Sequence, residues 1–306
     1  MIRLEDTSGH DIAAAIASER HRMGSPTTGM VLTLLILTDE EFQADATAAA
    51  VASAREHPMR ILTMVPRPGG DINRIDADIS VGGDDGPGEV AVMRLRGDRS
   101  SHANSVAIPL LLPDTPVVAW WPGAAPKDVA TDPIGMHAER RITDVSSRPD
   151  PLAELAIRRE NYHAGDTDLS WTRITNWRST LVAMMDRPVG TPESIVVEGH
   201  RHNASPILLA AWLSWALDVP AAVRPTDESG ISSVSVNTTD GPLTISRPDG
   251  SMALVEAPGM PASPVALPRR PLHELIAEDL RRLTPDEIYA EALRTVPRVT
   301  IGNELD

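Results

Sequence analysis

The apolar run at residues 31–37, VLTLLIL, constrains the fold more than any other feature. A strand that is apolar on both faces needs cover on both faces, the situation of a strand inside an α/β sheet. Thr38 then opens TDEE, where Thr38 can cap a helix and Glu41 can reach back as a capping box. The alanine-rich helix that follows ends near His57 and Pro58, because proline cannot continue it. A second strand is predicted at 60–65, and the β-α-β order implies a crossover joining a parallel pair. Strands at 75–81 and 89–95 flank GGDDGPG and read as a hairpin added to that sheet. Gly82, Gly83, Gly86 and Gly88 lie between two strands rather than at a strand-to-helix turn, so they read as a turn and not as a dinucleotide fingerprint.

Residues 102–112 are predicted helical and lead into PLLLPDTPVVAWWPG at 109–123. There a short strand at 116–121 carries two tryptophans and exits through Pro122-Gly123. Alternation puts Trp120 and Trp121 on opposite faces, one for the core and the other for a neighbouring domain or a partner. Aromatic residues are otherwise scarce: the chain has six Trp, two Tyr and one Phe, so each tryptophan carries weight.

At 306 residues the chain exceeds one ordinary core, and two domains are expected, with a proline- and charge-rich boundary at 122–151. The expected division is 1–150, an α/β domain, and 151–306, an α+β domain. In the second part, Trp171, Ile174, Trp177, Arg178, Leu181 and Met185 recur at helical spacing. A strand follows at 195–197. Ser205-Pro206 then suits the start of a helix that is apolar nearly all round. Segments near 231–236, 242–246 and 251–256 alternate between turn signals, the pattern of an antiparallel meander. Two terminal helices close the chain, the second with Thr284 and Glu287 as a capping box. The fold class is therefore α/β: a mixed, partly parallel N-terminal sheet with flanking helices, and a C-terminal α+β domain with a meander.

A net charge of −15 disfavours nucleic acid and anionic membranes as partners. The absence of cysteine excludes thiol nucleophiles, disulfides and cysteine-ligated metals. One lysine, Lys127, stands against 27 arginines, so covalent amine chemistry would have to use a loop residue. No apolar run is long enough to span a bilayer, and the N-terminus is polar and acidic, which reads as a soluble cytoplasmic protein.

Standard catalytic signatures are missing: no phosphate-binding P-loop, no G-x-S-x-G and no H-E-x-x-H. No enzyme activity, cofactor or metal is expected. His200 and His202 have H-x-H spacing, but no third ligand is fixed by spacing and a polar strand exit is the favoured reading. Arg140, Arg141 and Asp144 in RRITD suit either a bidentate phosphate grip or an interdomain salt bridge. In DLSWTRITNWR, Trp171 and Trp177 belong to the apolar stripe, whereas Asp168, Arg173 and Arg178 are left for other uses. Trp and Arg together are the composition of an interface hot spot.

PLLLPDTPVVAWWPG, the DPIG…RRITD after it, DLSWTRITNWR and LLAAWLSWAL resemble the glucose-6-phosphate dehydrogenase assembly (OpcA) family in its actinobacterial form. The resemblance runs in order from VLTLLILTD to RRLTPDEIYAEAL, and the arginine-rich composition suits it. It implies a non-catalytic partner of glucose-6-phosphate dehydrogenase that promotes or allosterically activates the enzyme's oligomer in the oxidative pentose phosphate pathway. Thiol-dependent control, discussed for cyanobacterial relatives, cannot act through this cysteine-free chain. The partner-binding residues expected on this basis are Trp120, Trp121, Arg140, Arg141, Asp144, Asp168, Arg173 and Arg178. The competing reading is a sugar-phosphate sensor or enzyme of the same pathway, with arginines at strand or helix ends holding the phosphate.

Overall fold

A computed structural model describes residues 1–23, 29–70, 72–82, 88–187 and 189–302. In chain order the first elements are β1 (Ile2–Leu4), α1 (Gly9–Met23), β2 (Leu32–Leu37), α2 (Glu40–Ser53), β3 (Met59–Arg67), β4 (Ile75–Val81) and β5 (Glu89–Arg96). Then come α3 (Ala103–Ala107), β6 (Val117–Trp121), β7 (Arg140–Thr143), α4 (Pro151–Glu160), β8 (Asp166–Asp168), α5 (Leu169–Thr172) and α6 (Thr175–Met185). The remainder is β9 (Pro192–His200), α7 (Ser205–Leu217), β10 (Ala221–Thr226), β11 (Ile231–Thr238), β12 (Gly241–Ser246), β13 (Met252–Glu256), β14 (Ser263–Ala266), α8 (Leu272–Arg281), α9 (Glu287–Thr295) and β15 (Thr300–Ile301).

The chain forms two compact units. Met1–Asp144, His163–Thr167 and Pro271–Pro285 make the first; Val145–Tyr162, Asp168–Arg270 and the chain from Asp286 onward make the second. The first unit holds a sheet of order β1-β4-β5-β3-β2-β6-β7-β8. Its centre is parallel: β2 pairs with β3 and β6, β3 with β5, and β6 with β7. β2 is buried over five of its six residues, as its two-sided apolar sequence requires. The expected hairpin of β4 and β5 forms, with Ile75 opposite Leu95 and Val81 opposite Glu89. The tip of its GGDDGPG turn, residues 83–87, lies outside the described residues.

Several local expectations shift. Asp39, not Thr38, caps α2, its Oδ1 accepting the Phe42 N–H at 3.2 Å. A full carboxylate suits the positive end of a helix better than a hydroxyl does. Residues 102–112 fold as α3 between two 3₁₀ turns, 97–102 and 108–110, because Pro109 interrupts the α-helical ladder. The stretch 122–151 is not continuous linker, since it contains β7, paired in parallel with β6. α8 joins the first unit: the Ser53 hydroxyl donates to the His273 carbonyl at 2.8 Å, and Arg281 pairs with Glu56 at 2.7 Å.

The second unit has its own sheet, ordered β14-β13-β12-β11-β9-β10-β15. The meander runs antiparallel from β9 through β11, β12, β13 and β14. On the other side of β9 the pairing is parallel, to β10 and on to β15. α7 connects β9 to β10 and is buried along most of its length, matching its apolar sequence. Ser205 is the first residue of α7 rather than its cap. Asn203 Oδ1 accepts the Ser205 N–H at 2.9 Å, and the Ser205 hydroxyl donates to the Ser170 carbonyl at 3.0 Å.

The expected helix through 171–185 is broken after Thr172 into α5 and α6, yet its stripe survives: Trp171, Ile174, Trp177 and Leu181 join one core with Tyr289 and Leu293. Asp286, not Thr284, caps α9. Its Oδ1 accepts the Tyr289 N–H at 3.0 Å and its Oδ2 accepts Trp171 Nε1–H at 2.8 Å. Asp286→Asn keeps only one acceptor oxygen and turns an NH₂ toward a donor. Urea unfolding should show a loss of about 1–3 kcal/mol; unchanged stability would remove this junction from the account.

Candidate functional site

Six of the eight residues expected to meet a partner are buried. Of the expectation that one would pack in the core and the other face a neighbouring domain or a partner, burial removes the partner: Trp120 and Trp121 are 0% and 2% exposed. Both faces of β6 are covered, and alternation therefore places two tryptophans inside rather than one. Arg140, Arg141, Asp144 and Asp168 are buried as well.

Arg140 and Arg141 are neighbours on β7, so their side chains leave opposite faces and do not converge on one anion. Arg140 donates to Asp279 at 2.5 Å and to the Thr284 carbonyl at 3.4 Å. Arg141 donates to Asp166 at 2.5 Å and to the carbonyls of Ala138 and Ala164 at 2.8 and 2.6 Å. Burial pushes the Asp166 carboxyl up from its ordinary range, against the pull of Arg141 and the His163 N–H. Asp168 caps the turn into α5: Oδ1 accepts the Ser170 N–H at 2.8 Å and Oδ2 the Val145 N–H at 3.0 Å. Arg178 lies over the Trp171 ring at 3.7 Å and donates to Thr175 Oγ1 at 3.0 Å.

Arg173 is different. It lines a cleft in the second unit, of about 250 Å³, together with Arg247, Arg269 and Arg270. The wall also contains Trp177, Asn176, Asn203, Ser146, Ser205 and Ser229, and no carboxylate. The four arginines reach the cleft from three segments. Arg173 sits at the break between α5 and α6, its N–H bonded to the Leu169 carbonyl at 2.9 Å. Arg247 follows β12, while Arg269 and Arg270 follow β14 in LPRRP, where the Leu267 N–H is pinned to the Ser251 carbonyl at 2.8 Å.

Arg247 is only 6% exposed. It donates to the carbonyls of Leu267 and Ile231 at 2.9 and 3.1 Å and lies over the Trp177 ring at 4.9 Å. Its Nε is buried without a hydrogen-bond partner. Burial, and then the nearby Arg269, lower its pKa from the ordinary arginine value, with Asp249 acting weakly the other way. The guanidinium stays charged, since arginine does not deprotonate in proteins. The Asp249 carboxylate is committed to its own turn, accepting the N–H groups of Ser251 and Met252 at 2.8 Å each.

Arg269 donates to the Ser229 carbonyl at 2.7 Å and lies flat against two glycines. A Cβ on Gly250 would come within 3.2 Å of its Cζ, and one on Gly230 within 3.7 Å of its Nε. Both glycines have positive φ, +75° and +77°, where a side chain is strained in any case. Arg270 donates to the Thr172 carbonyl at 3.3 Å. Among the described residues, neither Arg247 nor Arg269 has a carboxylate partner.

In two other cavities arginines pair with carboxylates. The larger one, about 440 Å³ in the first unit, contains Arg20 and Arg60. Both of these pair with the buried Glu89, at 3.2 and 2.5 Å. A third, around Arg94 and Arg96, is lined also by Asp76 and Asp78, and these pair at 3.0 Å (Arg96–Asp76) and 2.9 Å (Arg94–Asp78). His200 and His202 lie with ring centroids 5.9 Å apart, and among the described residues no three potential ligands gather as a metal site. Of the predicted site residues, then, only Arg173 contributes to the cleft. Arg247, Arg269 and Arg270 were not singled out from sequence. The available signals were the paired arginines of LPRRP and the arginine at the head of RPDG, which reads first as a turn.

Two family models match the chain, and both describe domains of a glucose-6-phosphate dehydrogenase subunit. Residues 50–160 match the model of its N-terminal domain, and residues 164–293 match the model of its C-terminal domain. No curated protein matches in sequence. Solved structures with related outlines include KijD10, a 3-ketoreductase from Actinomadura kijaniata in complex with TDP-benzene and NADP, at 10% identity, TM-score 0.47, covering 89% of this chain and 99% of that one. An inositol dehydrogenase homologue from Azotobacter vinelandii, complexed with NADH and myo-inositol, aligns at 11% identity and TM-score 0.45, covering 90% and 96%. Likenesses this distant carry no argument about chemistry.

Asp168→Asn would turn an NH₂ toward a buried backbone N–H. A loss of about 1–3 kcal/mol in urea unfolding is expected, and wild-type stability in this variant would contradict the capping role.

Proposed function

The chain belongs to the glucose-6-phosphate dehydrogenase assembly (OpcA) family, and from that membership we propose that it binds glucose-6-phosphate dehydrogenase and favours the enzyme's active oligomer without catalysing a reaction itself. The carrying observation is that both family models match in chain order, one on each side of residues 161–163. Among the described residues no helix is long and apolar enough to cross a membrane. On this reading the protein acts in the cytoplasm, at the entry to the oxidative pentose phosphate pathway.

The mechanism is a population shift. The chain binds one dehydrogenase state better than the others, and the shift is bounded by that difference in affinity. With Trp120 and Trp121 inside, Trp215 on α7 is the tryptophan with the most open surface, at 37% exposure. Tryptophan and arginine are enriched among interface hot spots, and Arg173 and Arg178 remain half-buried rather than enclosed.

The test is the activity and oligomer size of the cognate dehydrogenase, by light scattering, with and without this protein. Activation with a co-migrating complex is expected, and Trp215→Ala should weaken binding at least tenfold, on the order of 1.4 kcal/mol. The absence of both binding and activation would overturn the proposal; unchanged affinity in the variant would remove Trp215 from the contact.

A further inference from the structure

The second unit keeps like charges together where pairing would be easy. The chain carries a net charge of −15, with 43 acidic side chains against 28 basic ones, so carboxylates are abundant. The buried arginines of the first unit take them: Arg60 with Glu89, Arg140 with Asp279, Arg141 with Asp166. In the cleft, Arg247 and Arg269 are held instead by backbone carbonyls. Carbonyls orient a guanidinium and solvate part of it, but they leave its charge uncompensated.

We propose that this cleft binds a phosphate monoester of a small hydroxylated metabolite. The arginines supply the charge and the fork geometry that phosphate oxygens match. Arg247 offers in addition a buried Nε without a partner, a donor that a ligand oxygen would satisfy. Arg269 is already ordered: its hydrogen bond to Ser229 and its seat on Gly230 and Gly250 fix the guanidinium before any ligand arrives. Such ordering reduces the entropy lost on binding.

The rest of the wall selects the remainder of the ligand. Ser146, Ser205, Ser229, Asn176 and Asn203 provide hydroxyl and amide groups suited to the hydroxyls of a polyol, and the Trp177 ring supplies an apolar surface. The cleft also includes the first residue of α7, a 13-residue helix whose positive end favours an anion. A volume of about 250 Å³ suits a small molecule.

The experiment uses the full chain without any dehydrogenase, so its failure is separate from failure of the assembly reading. Binding is followed by calorimetry and thermal melting with glucose-6-phosphate as the probe, and with glucose and inorganic phosphate as comparisons. Saturable binding of the phosphate monoester is expected, with inorganic phosphate weaker and glucose silent. Arg269→Gln should weaken the monoester at least tenfold while leaving the melting temperature of the unliganded protein in place, because Arg269 is exposed and holds a single carbonyl. Arg247→Gln removes two carbonyl contacts and can unfold the site, so Arg269→Gln decides. Absence of saturable binding at millimolar probe, or equal binding by glucose, overturns the proposal. So does inorganic phosphate binding as tightly as the monoester, or an Arg269→Gln variant that binds as the wild type does.

Discussion

Burial of arginine is the constraint on which the rest of this structure depends. With 27 arginines and one lysine, the chain meets nearly every need for a cation with a group that cannot lose its charge. Each guanidinium taken from water must therefore be matched by an acceptor, or it destabilises the fold. In the first unit the match is a carboxylate from a distant part of the chain: Glu89 for Arg60, Asp166 for Arg141 and Asp279 for Arg140. The last two explain why two short, late segments, 163–167 and 271–285, belong to the first unit rather than to their sequence neighbours. They deliver the counterions of β7.

The same constraint explains what could be read in advance. The parallel centre of the first sheet, the β4–β5 hairpin and the meander follow from apolar runs and turn residues, which are local signals. The stripe through Trp171, Ile174, Trp177 and Leu181 was legible for the same reason, although the helix carrying it breaks at Arg173. Caps at Asp39 and Asp286 lay one or two residues from the hydroxyls that pattern reading favours, because a nearby carboxylate competes better for a helix N-terminus.

Long-range pairing was not legible. RRITD reads as a phosphate grip or an interdomain salt bridge until Asp166 and Asp279 are known to reach it, so β7 was hidden inside an expected domain boundary. The cleft was hidden for a related reason. Arg173, Arg247, Arg269 and Arg270 come from three separate stretches of sequence, and only the sheet and the α5–α6 break bring them to one wall. A guanidinium that ends on carbonyls leaves no partner spacing to read. The contrast in partners divides the carboxylate-paired arginines Arg60, Arg140 and Arg141 from Arg247 and Arg269, which end on carbonyls.

The most direct test of that division compares the stabilities of Arg140→Met and Arg269→Met by urea unfolding. Arg140 is enclosed with Asp279, so its removal takes the paired cation from a buried carboxylate and should cost about 3–5 kcal/mol. Arg269 has no carboxylate to strand, and its variant should unfold within about 0.5 kcal/mol of the wild type. Comparable losses in both, or a larger loss for Arg269, would contradict the account.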